Sequence, residues 1–256
     1  MDRILILLAT CCFAVNFLAV LGRLRRGGPH VTKGGLVLTG AGFVLQNWVL
    51  LARGQTHGRC PITNATEILL FLAWAVVLWY FILGPTYRLS LLGIFTSALV
   101  AFLQGVALLP GIYSTETGAA RVALDPWIQL HGYLSLLAYG AFAAAALAGT
   151  MYLLQDQFLK ERRLTPVFFH LPPINHLFQA MMLVLVLGCV LLVAGLLAGY
   201  ATTMRPPIAK HVVSYVVLGL YAAVVVARWC GVGHRRVAIG AVAAFIAVAA
   251  SLGFVS

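Results

Sequence analysis

Histidines carry much of the chemical information in this sequence, since its 256 residues include seven histidines and only six aspartates and glutamates. His131 and His211 each stand at the start of an apolar stretch. If both stretches are helices that begin on one side of a membrane, the two imidazoles lie at the same depth and can approach one pocket. Such a pair suits axial ligation of a haem iron, because each ring presents a nitrogen lone pair to one face of the porphyrin. Spacing alone favours the plainer alternative, an interfacial histidine without a ligand at each helix start.

Aromatic and cationic residues around His131 fit a porphyrin pocket without requiring one. Trp127 precedes His131 by one helical turn and can stack on a flat ring, although aromatic residues also collect at membrane interfaces for ordinary reasons. A third histidine, His57, is predicted on the same side and is an alternative second ligand. Haem propionates need cations as partners. The cations predicted on that side are Arg59, Arg121, Arg205 and Lys210.

Glu67 has two interpretations. A carboxylate at a membrane boundary is a functional candidate, and a hydrogen bond from a ligand histidine to Glu67 would orient the imidazole ring. The structural alternative is a helix cap, because Asn64 precedes Glu67 by three residues at the start of the third apolar stretch, as in a capping box. The sequence favours the structural interpretation.

The other histidines are predicted to be solvated loop residues among arginines and prolines, although one of them, His176, lies where the sixth apolar stretch begins. These histidines are His30, His170, His176 and His234. Cys230 is likewise predicted to lie in a loop. The five cysteines form no C-x-x-C and no C-x-x-C-H, so neither a redox pair nor covalent haem attachment is indicated. A haem bound to this chain is therefore expected to be non-covalent haem b.

The residues that could do chemistry must be positioned by membrane helices. The chain is 62% hydrophobic and only 9% charged, with a mean hydropathy of +0.99, so a bilayer must serve as its solvent. The apolar runs are continuous, whereas a transmembrane barrel needs alternating residues. We therefore predict an all-α polytopic membrane bundle of about eight transmembrane helices, forming one domain over residues 1–256. The apolar stretches are 4–21, 34–52, 66–83, 89–109, 128–154, 177–200, 211–227 and 237–254.

The basic residues predict the orientation of the bundle. A net charge of +11 would suggest nucleic acid in a soluble protein, but here the cations form short clusters between apolar runs, and no nucleic acid is expected as a partner. Most of them fall in the first, third, fifth and seventh loops, although Arg53 and Arg59 oppose this bias. The positive-inside rule then places both termini outside, in the inner membrane of a bacterium.

Two further patterns concern helix packing. The fifth apolar stretch is longer than a bilayer crossing needs, so we expect its helix to tilt or to project beyond the membrane. On the sixth stretch, Gly195-x-x-x-Gly199 would let another helix approach closely. No chemistry is assigned to this glycine pair.

Several stretches of the chain, within about residues 55–230, resemble the membrane-embedded cytochrome c assembly proteins of the CcsA/HemX/YpjD type. They are GRCPITNATE at 58–67 with Trp74 beyond it, HGYLSLLAY at 131–139, LPPI at 171–174 with GLLAG at 195–199, and Lys210 with Ser214. The order and spacing of the motifs make the set more specific than any one of them.

This resemblance implies haem binding by outward-facing histidines. His131 matches the family's histidine-led helix, and Lys210 matches a family lysine, whereas His211 beside it is not a position that the family supplies. The family's haem lyases carry a tryptophan-rich segment ending in Trp-Asp, but residues 200–208 contain neither a tryptophan nor an acid. The chain is therefore closer to the HemX/YpjD-like branch, and thioether-forming synthase activity is not expected.

The sequence thus predicts a haem-binding membrane protein that acts in cytochrome c biogenesis or haem handling at the outer face of the bacterial inner membrane. Its expected partners are haem and other membrane proteins of cytochrome c assembly or tetrapyrrole synthesis. Two alternatives stay open. One is a structural or regulatory subunit that binds no haem, and the other is a small-molecule transporter, against which the lack of acids at helix centres argues.

Overall fold

The computed structural model describes residues 2–26, 33–57, 62, 64–87, 92–114, 125–161, 173–201 and 208–255. In these ranges the chain forms eight helices and no strand, and each helix coincides with one of the predicted apolar stretches. The all-helical class is therefore confirmed. The helices are α1 (Asp2–Arg25), α2 (Lys33–His57), α3 (Ala65–Tyr87), α4 (Leu92–Ala107), α5 (Pro126–Lys160), α6 (Ile174–Tyr200), α7 (Ile208–Trp229) and α8 (His234–Val255).

Six of the helices in the described ranges are long and apolar enough to cross a membrane, namely α1, α2, α3, α5, α6 and α7. Helix α4, with 16 residues, is shorter. A helix satisfies every backbone polar group within its own segment, which is what a bilayer demands. The prediction of a multi-pass membrane protein is thus confirmed, whereas the orientation of its termini stays a prediction.

The helices divide into two compact units, an N-terminal unit over Met1–Leu124 and a C-terminal unit over Asp125–Ser256. In the N-terminal unit, α1 packs against α2 and α4, and α3 packs against α2 and α4. In the C-terminal unit, α5 packs against α6 and α8, and α7 packs against the same two helices. The prediction that residues 1–256 form one domain stays a prediction.

The C-terminal unit is held together by small residues and one aromatic stack. A run of buried alanines on α5 faces glycines on α6, and such residues let helix backbones approach closely where lipid gives no hydrophobic driving force. A Cβ added at Gly188 would lie only 2.6 Å from Cε1 of Phe142. The Phe142 ring stacks in turn on Tyr221 of α7, with ring centroids 3.7 Å apart. Gly188 therefore makes room for a contact that joins three helices.

The start of α5 is fixed by its own sequence. Asp125 caps the helix by accepting a hydrogen bond from the Trp127 N–H at 3.0 Å, and Pro126 follows at the first helical position, where no N–H is needed. The helix then runs for 35 residues, or about 52 Å. This confirms that the fifth helix exceeds a bilayer crossing, and it places His131 in the second turn.

Candidate functional site

His131 of α5 is held by a backbone carbonyl of α6. Its Nδ1 lies 2.7 Å from the carbonyl oxygen of Gly195. A carbonyl only accepts hydrogen bonds, so Nδ1 carries the proton and donates, and Nε2 keeps its lone pair. This is the tautomer that metal-binding histidines adopt when a backbone carbonyl orients the ring. The geometry therefore equips Nε2 of His131 to bind a metal.

Two glycines of α6 make room for this contact. A Cβ added at Gly199 would lie 3.0 Å from Nδ1 of His131, and one at Gly195 would lie 3.0 Å from Oγ of Ser135. The close helix approach predicted for the glycine pair is thus confirmed. No chemistry was predicted for this glycine pair, yet the imidazole of His131 packs against Gly199 and bonds to the carbonyl of Gly195. A signal was present, because His131 and Ser135 are spaced by four residues on α5, as the glycines are on α6.

Ser135 adds a polar atom beside the imidazole. Its Oγ is enclosed and makes no hydrogen bond within the described part of the chain. Enclosed hydroxyls almost always have a partner in folded proteins. The α5–α6 contact therefore presents a polar atom one turn from His131, in addition to the free ring nitrogen.

Trp127 lies on α5 one turn before His131, and 49% of its surface is exposed. Its indole face is therefore accessible on the same helix end as the imidazole. Stacking of this indole on a porphyrin stays a prediction, as does the alternative that Trp127 is an interfacial aromatic.

His211 and Lys210 lie in the first turn of α7, and α7 packs against α6. Because only the short connection 201–207 separates α7 from the end of α6, this turn begins at the same end of the C-terminal unit as Gly199. The side chains of His211 and Lys210 lie outside the described residues, as does that of His57 at the end of α2. Wholly outside them are Arg59, Arg121 and Arg205.

Glu67 is a fully buried residue in the first turn of α3. Its backbone N–H donates to Oδ1 of Asn64 at 2.9 Å, which confirms the predicted cap. Its carboxylate pairs with Arg53 of α2, with Nη1 and Oε1 3.6 Å apart, and Arg53 also pairs with Asp2 of α1 at 3.5 Å. Glu67 thus helps to join three helices, and its bond to a ligand histidine stays a prediction.

The same ion cluster contains Arg53, one of the two arginines that oppose the predicted orientation of the bundle. Arg53 is only 2% exposed, and besides pairing with two carboxylates it donates from Nη1 to the carbonyl of Ser114 at 3.4 Å. Thr66 ties the same segment to α3, since its Oγ1 donates to the carbonyl of Ile112 and accepts from the N–H of Ser114. Arg53 is therefore a structural cation, neutralised by the fold. Sequence reasoning missed this pairing.

The structure corrects the prediction for His234. This residue was expected in a loop, but it opens α8, and its ring contacts Phe178 of α6 with centroids 4.1 Å apart. Arg228 lies over the same phenyl ring at 5.5 Å. The contact arises because α7 and α8 are joined by a tight turn with a positive φ at Gly231. Cys230 lies in that turn, as predicted, and His176 lies in the first turn of α6.

Comparison with known proteins relates the chain to a single group. The family model described as cytochrome C assembly protein matches residues 62–252. Protein HemX of Brevibacillus brevis is 27% identical over 53% of this chain and 49% of its own length. Protein NrfI of Wolinella succinogenes is 32% identical over 60% of this chain and 16% of its own. The cytochrome c biogenesis protein CcsA of Microcystis aeruginosa is 30% identical over 41% of this chain and 33% of its own.

The match to HemX covers about half of that relative's length, and the matches to the other two relatives cover less. The family match begins just before α3 and ends within α8. It therefore includes the capped start of α3 and the His131–Gly195 contact.

Proposed function

Because this chain belongs to the cytochrome c assembly protein family, we propose that it binds haem non-covalently at the outer face of a bacterial inner membrane. Family membership supports a role in cytochrome c biogenesis. The proposal goes further in assigning a ligand, a location and a cofactor, haem b. It concerns this chain only, since the relatives' matched segments are parts of longer proteins.

One observation carries the proposal, namely the hydrogen bond between Nδ1 of His131 and the carbonyl of Gly195. It fixes the ring orientation and leaves Nε2 as a lone-pair donor. A ring held in one orientation presents Nε2 in a fixed direction, as a metal ligand requires. The glycines at 195 and 199, whose added Cβ atoms would crowd His131 and Ser135, therefore favour a ligand role over the plainer interpretation.

The residues present fit a haem. His131 supplies one nitrogen ligand, and His211, in the first turn of the neighbouring α7, is the proposed second. Trp127 offers an accessible aromatic face, and Ser135 offers an enclosed hydroxyl. The cations proposed for the propionates are Lys210, Arg205, Arg121 and Arg59. A bound haem would supply iron that is open to redox change and is tuned by its axial ligands.

The proposed partners follow from the same family role. They are haem itself and other membrane proteins of cytochrome c assembly or tetrapyrrole synthesis. The absence of a tryptophan or an acid in residues 200–208 argues that this chain holds or presents haem, and that a different protein forms the thioether bonds.

The test is the absorption spectrum of the full chain, purified in detergent and reconstituted with haem. We expect a Soret band and the sharp visible bands of a six-coordinate, low-spin iron. His131→Ala should abolish the low-spin form, and imidazole in the buffer should restore it. His211→Ala should convert the spectrum to a high-spin form if His211 is the second ligand. His234→Ala is the matched control, since His234 lies at the opposite end of α7, and it should leave the spectrum unchanged.

An unchanged spectrum in a His131→Ala/His211→Ala double variant would overturn the ligand assignment. A folded protein that shows no Soret band would overturn haem binding itself. If such a haem-free protein co-purified with an assembly enzyme, it would support the role of a structural or regulatory subunit.

A further inference from the structure

The interior of the N-terminal unit contains polar residues at regular intervals. Thr39, Gln46 and Arg53 are spaced by seven residues along α2, which places them on one helix face. They are 2%, 3% and 2% exposed. Thr39 and Arg53 are 14 positions apart, which is about 21 Å along the helix, compared with about 30 Å for the hydrocarbon core of a bilayer.

Polar residues of α1 and α4 meet this face in matching layers. In the first layer, Asn16 of α1 donates from Nδ2 to Oγ1 of Thr39 at 3.1 Å and to Oγ of Ser97 at 3.0 Å. In the second layer, the Thr10 hydroxyl of α1 donates to the carbonyl of Ile6 at 2.7 Å and shares its proton with Oε1 of Gln104 on α4 at 3.4 Å. Helices α1 and α4 therefore contribute to both layers, and α2 contributes Thr39 to the first.

The hydrogen bonds also fix where Gln46 stands. Asn16 pairs with Thr39 and Asp2 pairs with Arg53, so α1 and α2 are antiparallel, and Gln46 lies midway between these two contacts. The Thr10–Gln104 bond lies midway along α1 as well. Gln46 is therefore at the level of that bond, in the middle of the unit.

Several polar atoms of this interior make no hydrogen bond within the described part of the chain. They are Oδ1 of Asn16, both amide atoms of Gln46, and Nη2 of Arg53. Neither lipid nor an apolar side chain can satisfy such atoms, and leaving them dry is costly in a low-dielectric interior. A buried water, in contrast, typically bonds to three such groups and is retained as part of the structure.

We propose that the N-terminal unit holds a line of bound waters between the Arg53–Glu67 pair and Asn16, with Gln46 as its central anchor. We call the residues along this line the polar seam. The polar seam consists of Asn16, Thr39, Ser97, Thr10, Gln46, Gln104 and Arg53. The seam gives the buried ion pair a hydrated route about two-thirds of the way across the bilayer. It is independent of haem binding, because every residue of the seam belongs to the N-terminal unit.

The test is radiolytic labelling of the full chain in lipid nanodiscs with heavy-oxygen water, read by mass spectrometry. A short X-ray pulse turns bound waters into radicals that mark the side chains beside them. Phe13 is the reporter, because it is fully buried and lies one turn from both Thr10 and Asn16. Phe142 is its matched reference, since it is equally buried but packed among alanine, glycine and tyrosine. We expect severalfold more label on Phe13 than on Phe142.

Substitution then identifies the anchor. Gln46→Leu should reduce the label on Phe13 to the level of Phe142. The control is Asn47→Leu on the same helix, because the Asn47 amide is already bonded to the carbonyl of Phe43 and to the indole of Trp74; it should leave the Phe13 label unchanged. Equal labelling of the two phenylalanines in the unmodified chain would overturn the proposal, and this comparison requires no variant to fold. So would a Phe13 label that survives Gln46→Leu.

Discussion

At the scale of single residues, the position of one proton on His131 decides which of its ring nitrogens can bind a metal. The Nδ1–H of His131 donates to the carbonyl oxygen of Gly195, which leaves Nε2 for a ligand. Neither residue specifies this alone, since a Cβ at position 199 would crowd Nδ1 of His131 at 3.0 Å. The orientation of the His131 ring therefore depends on packing at Gly199, which has no side chain to bind a ligand.

Gly199→Ala tests this dependence. The new Cβ would lie 3.0 Å from Nδ1 of His131, so the ring must shift by a few tenths of an ångström, which perturbs its hydrogen bond to the Gly195 carbonyl. We expect haem affinity to fall by about tenfold or more, the usual effect of losing the group that orients a metal ligand, as measured by absorbance titration. Gly219→Ala on α7 is the control, because nothing lies within 4 Å of its added Cβ. Equal affinities in the two variants would show that the glycine serves packing alone.

Glu67→Gln tests the buried ion pair. The variant leaves the Arg53 guanidinium buried with only Asp2 as its carboxylate partner in the described residues, and removing one member of a buried pair costs about 3 kcal/mol. We expect a loss of that size in the free energy of unfolding, measured by denaturant titration in detergent. Asp156→Asn, in a more exposed pair with Lys160 and Arg235, should cost less than about 1 kcal/mol. Comparable losses in the two variants would contradict the structural role of Glu67.

At the scale of helices, the sequence predicts where each element lies much better than which elements touch. Continuous apolar runs specify membrane helices because the bilayer allows few other structures, and all eight stretches became helices. The cap at Asn64 and the close approach at Gly195 could also be read from local spacing. The His131–Gly195 and Arg53–Glu67 contacts could not, because they depend on how each helix is rotated about its axis. A helix that is apolar nearly all round leaves this rotation undefined.

The aromatic contact between α5, α6 and α7 makes a prediction at this scale. Gly188→Val would place side-chain atoms inside the Phe142 ring, since even a Cβ lies 2.6 Å from Cε1, and that ring is held against Tyr221. We expect a loss of about 1–3 kcal/mol in unfolding free energy from this overpacking. Replacing the phenyl ring by a smaller side chain, in a Gly188→Val/Phe142→Leu double variant, should recover part of the lost unfolding free energy.

Gly105→Ala is the control for this substitution, since no atom lies within 4 Å of its added Cβ, and it should leave stability unchanged. If the double variant proved no more stable than Gly188→Val, the clash with Phe142 would not be the cause. Either result comes from the same denaturant titrations.

At the scale of the whole molecule, the two units differ in interior chemistry. The N-terminal unit buries asparagine, glutamine, arginine and glutamate side chains, whereas the described interior of the C-terminal unit is mainly alanine, glycine and leucine, with His131 bonded to Gly195 between α5 and α6. Both proposed haem ligands belong to the C-terminal unit. The family match spans helices of both units, so family membership does not by itself assign the haem site to one of them.

The orientation of the bundle makes the last prediction. With Arg53 neutralised by Asp2 and Glu67, one of the two arginines that opposed the positive-inside rule no longer counts against it. We therefore expect both termini outside, so that alkaline phosphatase fused to the C-terminus is active and a fluorescent protein fused there is dark. Fusions within residues 162–172 should give the reverse.

The same fusions test whether α4 crosses the membrane, because its 16 residues cover about 24 Å of a hydrocarbon core of about 30 Å. If α4 failed to cross while the other helices did, the two termini would lie on opposite sides, and the ends of α5 and α7 that carry His131 and His211 would be assigned to the opposite face from the N-terminus.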